Sequence, residues 1–352
     1  MSDLSNAVIA GAIRAVERVP LPDGVLRIAI SRLVGTRRSM LQASPDQELA
    51  FAREMQARPI AVHTDKANDQ HYELPPEFFA LSLGPHRKYS CCHYDRPDAT
   101  LAEAEASALE ITAQRAGLAD GQSILELGCG WGSMTLWMAA AYPNARITAV
   151  SNSHGQRRFI EGEARRRGLA NVRIVTADVK DLQLDGQFDR VLSIEMFEHM
   201  SNWAALLRRV HEVLEPDGRL FVHVFAHRAE SYAFDHHDQT DWIGQHFFTG
   251  GIMPGEGLMR QFPDLFEVAD EWRWSGRHYA RTARHWLENY DRNAKKIAPI
   301  LKQVYGEDWA LWQRRWRLFF LAVEGLFGFE DGERWGVKHY LMRPVETQKS
   351  AA

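Results

Sequence analysis

Two short stretches of this chain combine residue types and spacings that can do chemistry. The first is Glu126-Leu127-Gly128-Cys129-Gly130-Trp131-Gly132, an acid followed by glycines at alternate positions. Glycines let the backbone turn sharply and approach a ligand closely. The second is Glu195, Glu198 and His199. In a helical turn, 195/198 and 195/199 share a face. Two carboxylates then stand beside an imidazole that titrates near neutral pH. Such a trio can accept a proton and stabilise a cation. The plainer alternative is a helix start, where carboxylates suit the dipole. Their place at a strand end favours function.

Alternating elements must position these residues. Residues 4–60 read as helices broken near Pro20 to Gly24, and Thr100 with Glu103 forms a capping box opening a helix over 100–118. From Gly121 short apolar strands alternate with helices. Strands are expected at 123–129, 145–153, 172–178, 188–197 and 219–227, with helices at 131–142, 154–169 and 202–214. This alternation predicts a parallel sheet with helices on both faces. Residues 228–262 read as an irregular lid. A strand is expected at 266–276, helices over 281–329, and a last strand at 335–344. The organisation is a helical N-terminal extension (1–70), an α/β core (71–227), a lid or substrate loop (228–265), and closing strands with a helical insertion (266–352).

Ligands of doubly wound sheets bind at the carboxyl ends of the strands, where the glycine turn lies. A dinucleotide site wants a third glycine where Ser133 stands, and an acid about 20 residues on. Asn152 stands there instead. The turn suits S-adenosylmethionine better, with Asn152 and Gln156 able to bond a ribose and Asp178 an adenine amino group.

Composition narrows the partners. The chain has 352 residues, 45% hydrophobic and 25% charged, which excludes a disordered chain or a disulfide scaffold. Lys plus Arg total 42 against 46 Asp plus Glu, so there is no basic footprint for nucleic acid. No apolar stretch is long enough to span a bilayer. The three cysteines include an adjacent pair, Cys91 and Cys92, which fits a reducing, cytoplasmic setting. His236, His237 and His246 with Asp235, Asp238 and Asp241 read as solvated lid residues rather than a metal site. Arg165, Arg166 and Arg167 read as a solvated helix end. The N-terminal helices pack on the chain's own core or on a second subunit, as in a homodimer.

Four segments, HYELPPEFF with KYSCCHY, ELGCGWGS, FDRVLSIEMFEHM and SGRHYARTARHWL, carry a resemblance. The chain resembles the superfamily of cyclopropane-fatty-acyl-phospholipid synthases, mycolic acid cyclopropane synthases and coclaurine-type N-methyltransferases, from about residue 20 to about 345. The resemblance implies a class I methyltransferase (Rossmann-like) fold, a seven-stranded sheet with S-adenosylmethionine as methyl donor. It implies that Tyr89 and Ser90 hold the cofactor's methionine end, that Gly128 and Gly130 form its loop, and that Asn152, Gln156, Asp178 and Val179 contact ribose and adenine. Within the superfamily two chemistries compete. Cyclopropane synthases use a bicarbonate base held by residues matched here by Cys91, Glu198, His223 and Tyr279. The N-methyltransferases use a cluster matched by Glu195, Glu198 and His199, and cyclopropane synthases usually carry glycine at the position of Glu195. The first expectation is N-methylation of a small cyclic or aryl-alkyl amine. The alternative is cyclopropanation or C-methylation of an unsaturated phospholipid acyl chain. Read without the resemblance, Cys91 is a small buried hydrophobe, and His223 a core histidine of its strand.

Overall fold

The computed structural model describes residues 3–41, 44–62, 74–181 and 186–345. Its strands are β1 (Ser123–Leu127), β2 (Arg146–Ser151), β3 (Val172–Thr176), β4 (Phe188–Ile194), β5 (Leu214–His227), β6 (Tyr232–Ala233), β7 (Ile252–Met253), β8 (Phe266–Ser275) and β9 (Trp335–Pro344). Seven of them form one sheet in the order β3-β2-β1-β4-β5-β9-β8. The first five run parallel, and β9 is antiparallel to both β5 and β8. This is the expected seven-stranded α/β sheet. The order reverses beside β1, so the carboxyl ends of β1, β2 and β4 open onto a shared crevice.

The helices are α1 (Asp3–Arg18), α2 (Asp23–Met40), α3 (Pro45–Gln56), α4 (Pro76–Ser82), α5 (Leu101–Ala116), α6 (Ser133–Ala141), α7 (His154–Arg167), α8 (Trp203–Val213), α9 (Trp242–His246), α10 (Gly276–Arg292), α11 (Ala294–Tyr305) and α12 (Trp309–Gly328). Local chemistry sets their ends. Thr100 and Glu103 form the expected capping box on α5, and Gly117 closes it in a left-handed conformation. Ser153 caps α7 through Gln156 N, which fixes Gln156 in the first turn. Asp241 caps α9 through Gly244 N. The arginines ending α7 are exposed, and Arg166 and Arg167 pair with Glu163.

The N-terminal helices pack on their own chain. Arg317 of α12 bonds Asp23 of α2 and Asp291 of α10. The buried Glu17 of α1 receives Arg315 of α12 and Trp242 of the lid. These contacts tie extension, insertion and lid together over the carboxyl edge of the sheet. The lid histidines and acids serve the backbone and Glu17: Asp235 takes His237 N, and His246 lies 3.3 Å from Glu17.

Several boundaries differ from the sequence reading, among them β5, which begins at Leu214 and not at 219. The strand expected over 188–197 stops at Ile194, because Glu195 turns to φ 47° and Phe197–His199 make a 3-10 turn. The lid holds a short antiparallel pair, β6 with β7, and α9. The helices after the lid begin at Gly276, since Ser275 caps α10 there. No described helix is long and apolar enough to cross a membrane.

Burial makes one carboxyl informative. Among the described residues, the Glu126 side chain, near the end of β1, bonds only the Thr135 hydroxyl. Burial pushes its carboxyl up to about 7. A folded-state pKa above the unfolded one costs stability as pH rises. Glu126→Gln should therefore stabilise the fold at pH 8 by about 1–3 kcal/mol, and the gain should shrink toward pH 4.5. Denaturant titrations at both pH values check this; equal stability of the two proteins at pH 8 would contradict it.

Candidate active site

The crevice at the switch point is a cavity lined by Gly128, Gly130, Asn152, Gln156, Asp178 and Val179. All six were expected at a cofactor. The same cavity is also lined by Glu195, Met196, His199, Met200 and the lid residue Thr249. One cavity thus joins the expected cofactor side to the expected acceptor side. Among the described residues, Tyr89 and Ser90 are not part of its wall. Tyr89 packs between Phe79 and Trp286, with ring centroids 5.3 and 5.5 Å away, and Ser90 is buried. His71 to Glu73, the start of the HYELPPEFF segment, lie outside the described residues.

The glycines have separate tasks. At Gly128 φ is +79°, and an added Cβ would meet Met196 Cγ at 2.7 Å. At Gly130 a Cβ would meet nothing within 4 Å, which leaves that edge open to a ligand. Gly128→Ala should cost about 1–3 kcal/mol of stability through backbone strain and push Met196, and so Glu195, out of place. Calorimetric unfolding together with cofactor titration checks this; a variant matching the parent in both would contradict the tight-turn role.

S-adenosylmethionine fits the donors present. Gln156 Oε1 is taken by Ser151 Oγ at 2.7 Å, so its orientation is fixed. Its Nε2 is buried with no partner among the described residues, a donor aimed at something else. Asp178 offers carboxylate oxygens, although Lys180 holds them from one side.

Behind that wall the acceptor cluster converges on Glu195. The Glu195 side chain is 8% exposed. Its Oε1 accepts from Cys91 N at 2.9 Å and lies 3.2 Å from His223 Nε2. Its Oε2 accepts from the Tyr279 hydroxyl at 2.6 Å. A positive φ at a glutamate is strained, and the Glu195 amide bonding His223 O at 2.8 Å holds it there. Cys91 contributes its amide, not its thiol: burial pushes the thiol well up, and Sγ points to Cys92 O.

The expected sharing of a helical face by Glu195, Glu198 and His199 is not realised. The 3-10 turn covers only Phe197–His199, and Glu195 precedes it with left-handed backbone. Glu198 follows inside that turn and lies close enough to Glu195 and Tyr279 to feel their charge. It is fully buried and its carboxyl oxygens make no hydrogen bond among the described residues. Burial and then Glu195 push it well above the usual carboxylate range. Of the four residues expected around a bicarbonate, Cys91, His223 and Tyr279 are in hydrogen-bond contact with Glu195, while Glu198 stands near it and interacts through charge.

Burial pushes His199 down to about 4, against the pull of Glu195. Its imidazole is neutral at pH 7, the form that accepts a proton. Burial also raises the Glu195 carboxyl, with Lys88, the Tyr279 hydroxyl and the Cys91 amide drawing it back. A run of rings links the two residues. His199 lies 4.4 Å from Phe248, Phe248 5.5 Å from Phe225, Phe225 6.0 Å from Phe327, and Phe327 4.4 Å from Tyr279.

Three supporting residues escaped the sequence reading. Lys88 is buried, and its ammonium bonds Ser90 Oγ and Cys91 O, stiffening the segment that holds Glu195. Buried Glu105 accepts from His86 N and Lys88 N, anchoring the same segment to α5. His339 faces His223 across β5 and β9. Only the adjacency of Lys88 to Tyr89 and Ser90 could have signalled the first.

A model of the mycolic acid cyclopropane synthetase family matches residues 61–325. The chain is 34% identical over 348 residues to an (S)-coclaurine N-methyltransferase of Thalictrum flavum subsp. glaucum, spanning 96% of each. It is 28% identical over 270 residues to the cyclopropane-fatty-acyl-phospholipid synthase of Escherichia coli K12, spanning 76% of this chain and 66% of that one. A coclaurine N-methyltransferase structure bound to N-methylheliamine and S-adenosylhomocysteine superposes with a TM-score of 0.91 at 33% identity, covering 96% of this chain and 99% of that one.

Proposed function

This chain belongs to the mycolic acid cyclopropane synthetase family, and from that premise we propose that it transfers a methyl group from S-adenosylmethionine to the nitrogen of a small amine. Glu195 carries the choice of amine over lipid. Its carboxylate takes the Cys91 amide and the Tyr279 hydroxyl and lies against His223. A bicarbonate would need those same donors. A second anion against a buried carboxylate also meets strong repulsion. Glu195 thus stands in for the anion that the lipid chemistry requires.

When bound, S-adenosylmethionine supplies a sulfonium methyl group to a neutral nucleophile. Glu195 attracts the acceptor ammonium and later offsets the charge that forms on nitrogen. His199 takes the ammonium proton. Its low pKa does not forbid this, because burial disfavours the acceptor cation in the same way. Burial disfavours charge on Glu198, so it competes little with Glu195 for the cation. The rings from Phe248 to Tyr279 offer π faces to a cation and an apolar wall to cyclic or aryl-alkyl substituents. On the cofactor side of the cavity, Gly128, Gly130, Asn152, Gln156, Asp178 and Val179 hold the donor.

Turnover in carbon-dioxide-free buffer tests the choice. Amine methylation should run at an unchanged rate. A rate that collapses and returns with added bicarbonate would contradict the reading and favour the lipid chemistry built on Cys91, Glu198, His223 and Tyr279.

A further inference from the structure

A line of side chains runs from Glu195 across the sheet, away from the acceptor. His223 of β5 and His339 of β9 are direct cross-strand partners, fully buried, with ring centroids 4.6 Å apart. At the near end His223 Nε2 lies 3.2 Å from Glu195 Oε1. At the far end the Arg115 guanidinium, from the last turn of α5, is 2.9 Å from His339 Nδ1. Trp272 and Trp274 hold that guanidinium, with ring centroids 5.0 and 5.6 Å from it.

The proton positions follow from what each group can do. A guanidinium only donates, so His339 Nδ1 accepts and the ring's single proton sits on Nε2. A carboxylate only accepts, so His223 Nε2 donates and its Nδ1 carries the lone pair. The two remaining atoms are His339 Nε2, a donor, and His223 Nδ1, an acceptor. These are the two ring nitrogens of the pair that are buried with no hydrogen-bond partner among the described residues. They are complementary, a donor and an acceptor on the two rings of one cross-strand pair. Arg115 cannot accept a proton, so the line does not carry one outward. It delivers an N–H to Glu195.

We propose that His339 is a positioning residue for the transfer reaction: with Arg115 it locks His223 in the Nε2–H tautomer, so that Glu195 keeps its negative charge toward the acceptor cation. This rests on the amine-methyltransferase reading of Glu195. The charged and titratable groups facing the line are Lys88, Cys91 and His93 from the segment before α5, and Arg115 from α5 itself. Glu198 and His199 face it from the turn after β4, and Tyr279 from α10. Burial, with the charges of Lys88 and Arg115, holds both rings neutral.

Nitrogen NMR of the full chain labelled at histidine reads the tautomers directly, without any acceptor. Both His223 and His339 should be Nε2–H. His339→Phe should lower kcat about tenfold and move the acidic limb of the pH profile up by about one pH unit, with cofactor affinity unchanged. His339→Gln keeps an acceptor for Arg115 and a donor for His223, and should recover most of the rate. An Nδ1–H tautomer at His223 in the unaltered protein overturns the proposal. So do Phe and Gln variants that lose activity equally with an unmoved profile. Failure of the amine reading would appear differently, as no amine turnover by the unaltered protein with the tautomers still in place.

Discussion

Glu195→Ala should lower kcat for amine methylation by about three orders of magnitude, with a much smaller change in cofactor affinity. The side chain is the point on which the Cys91 amide, the Tyr279 hydroxyl and His223 converge. Removing it leaves three buried polar groups around a hole and takes away the charge opposite the acceptor nitrogen. Glu195→Gly opens that hole fully and also relieves the strain of φ 47°. A small carboxylate has the size and charge to refill it. Formate or bicarbonate should therefore restore part of the rate to the glycine variant and none to the parent. Kinetics across an anion titration check both statements. A glycine variant that works as well as the parent without added anion would remove Glu195 from the centre of the chemistry.

His199→Ala carries the second large effect, a loss of about two to four orders of magnitude in kcat. His199→Gln keeps a hydrogen-bonding group but no titrating base, and should not recover. The parent's pH dependence has a definite sign. With the imidazole pushed down to about 4, the proton-accepting form predominates at every pH above that value. A bound sulfonium pushes it further in the same direction. Once corrected for ionisation of the free amine, kcat/KM should show no limb from His199 between pH 8 and near 5, and an acidic limb in that range belongs to the Glu195 carboxyl, which burial raises. An acidic limb near the ordinary histidine value of about 6.5, abolished in His199→Gln, would mean that the imidazole is not buried when it acts.

The sequence reading reached the fold because its signals are local. Thr100 and Glu103 lie three residues apart and form the cap they suggest. The glycine turn sits between β1 and α6, and Asn152 and Gln156 straddle the cap of α7. Six of the residues expected at a cofactor line one cavity because most of them are such neighbours, while Tyr89 and Ser90 do not line it. The acceptor side comes from residues 28 to 104 positions apart that meet only when the sheet is assembled. Cys91, His223 and Tyr279 could be named from the resemblance, but not that they bind Glu195. The helical geometry assumed for Glu195 failed because a β-strand runs into it and the chain turns through a left-handed residue before the 3-10 turn begins. Lys88 and His339 carry no signal of their own in the sequence, since burial of a lysine or pairing of histidines on adjacent strands leaves no periodic trace.

The most direct measurement is mass spectrometry after incubation with methyl-labelled S-adenosylmethionine, with cyclic and aryl-alkyl amines in one arm and unsaturated phospholipid vesicles in the other. One labelled methyl should appear on the amine nitrogen, lost in Glu195→Ala and in His199→Ala, with the vesicle lipids unchanged. Label on the acyl chains and none on any amine would contradict an amine methyltransferase. It would return Cys91, Glu198, His223 and Tyr279 to the service of a bicarbonate base.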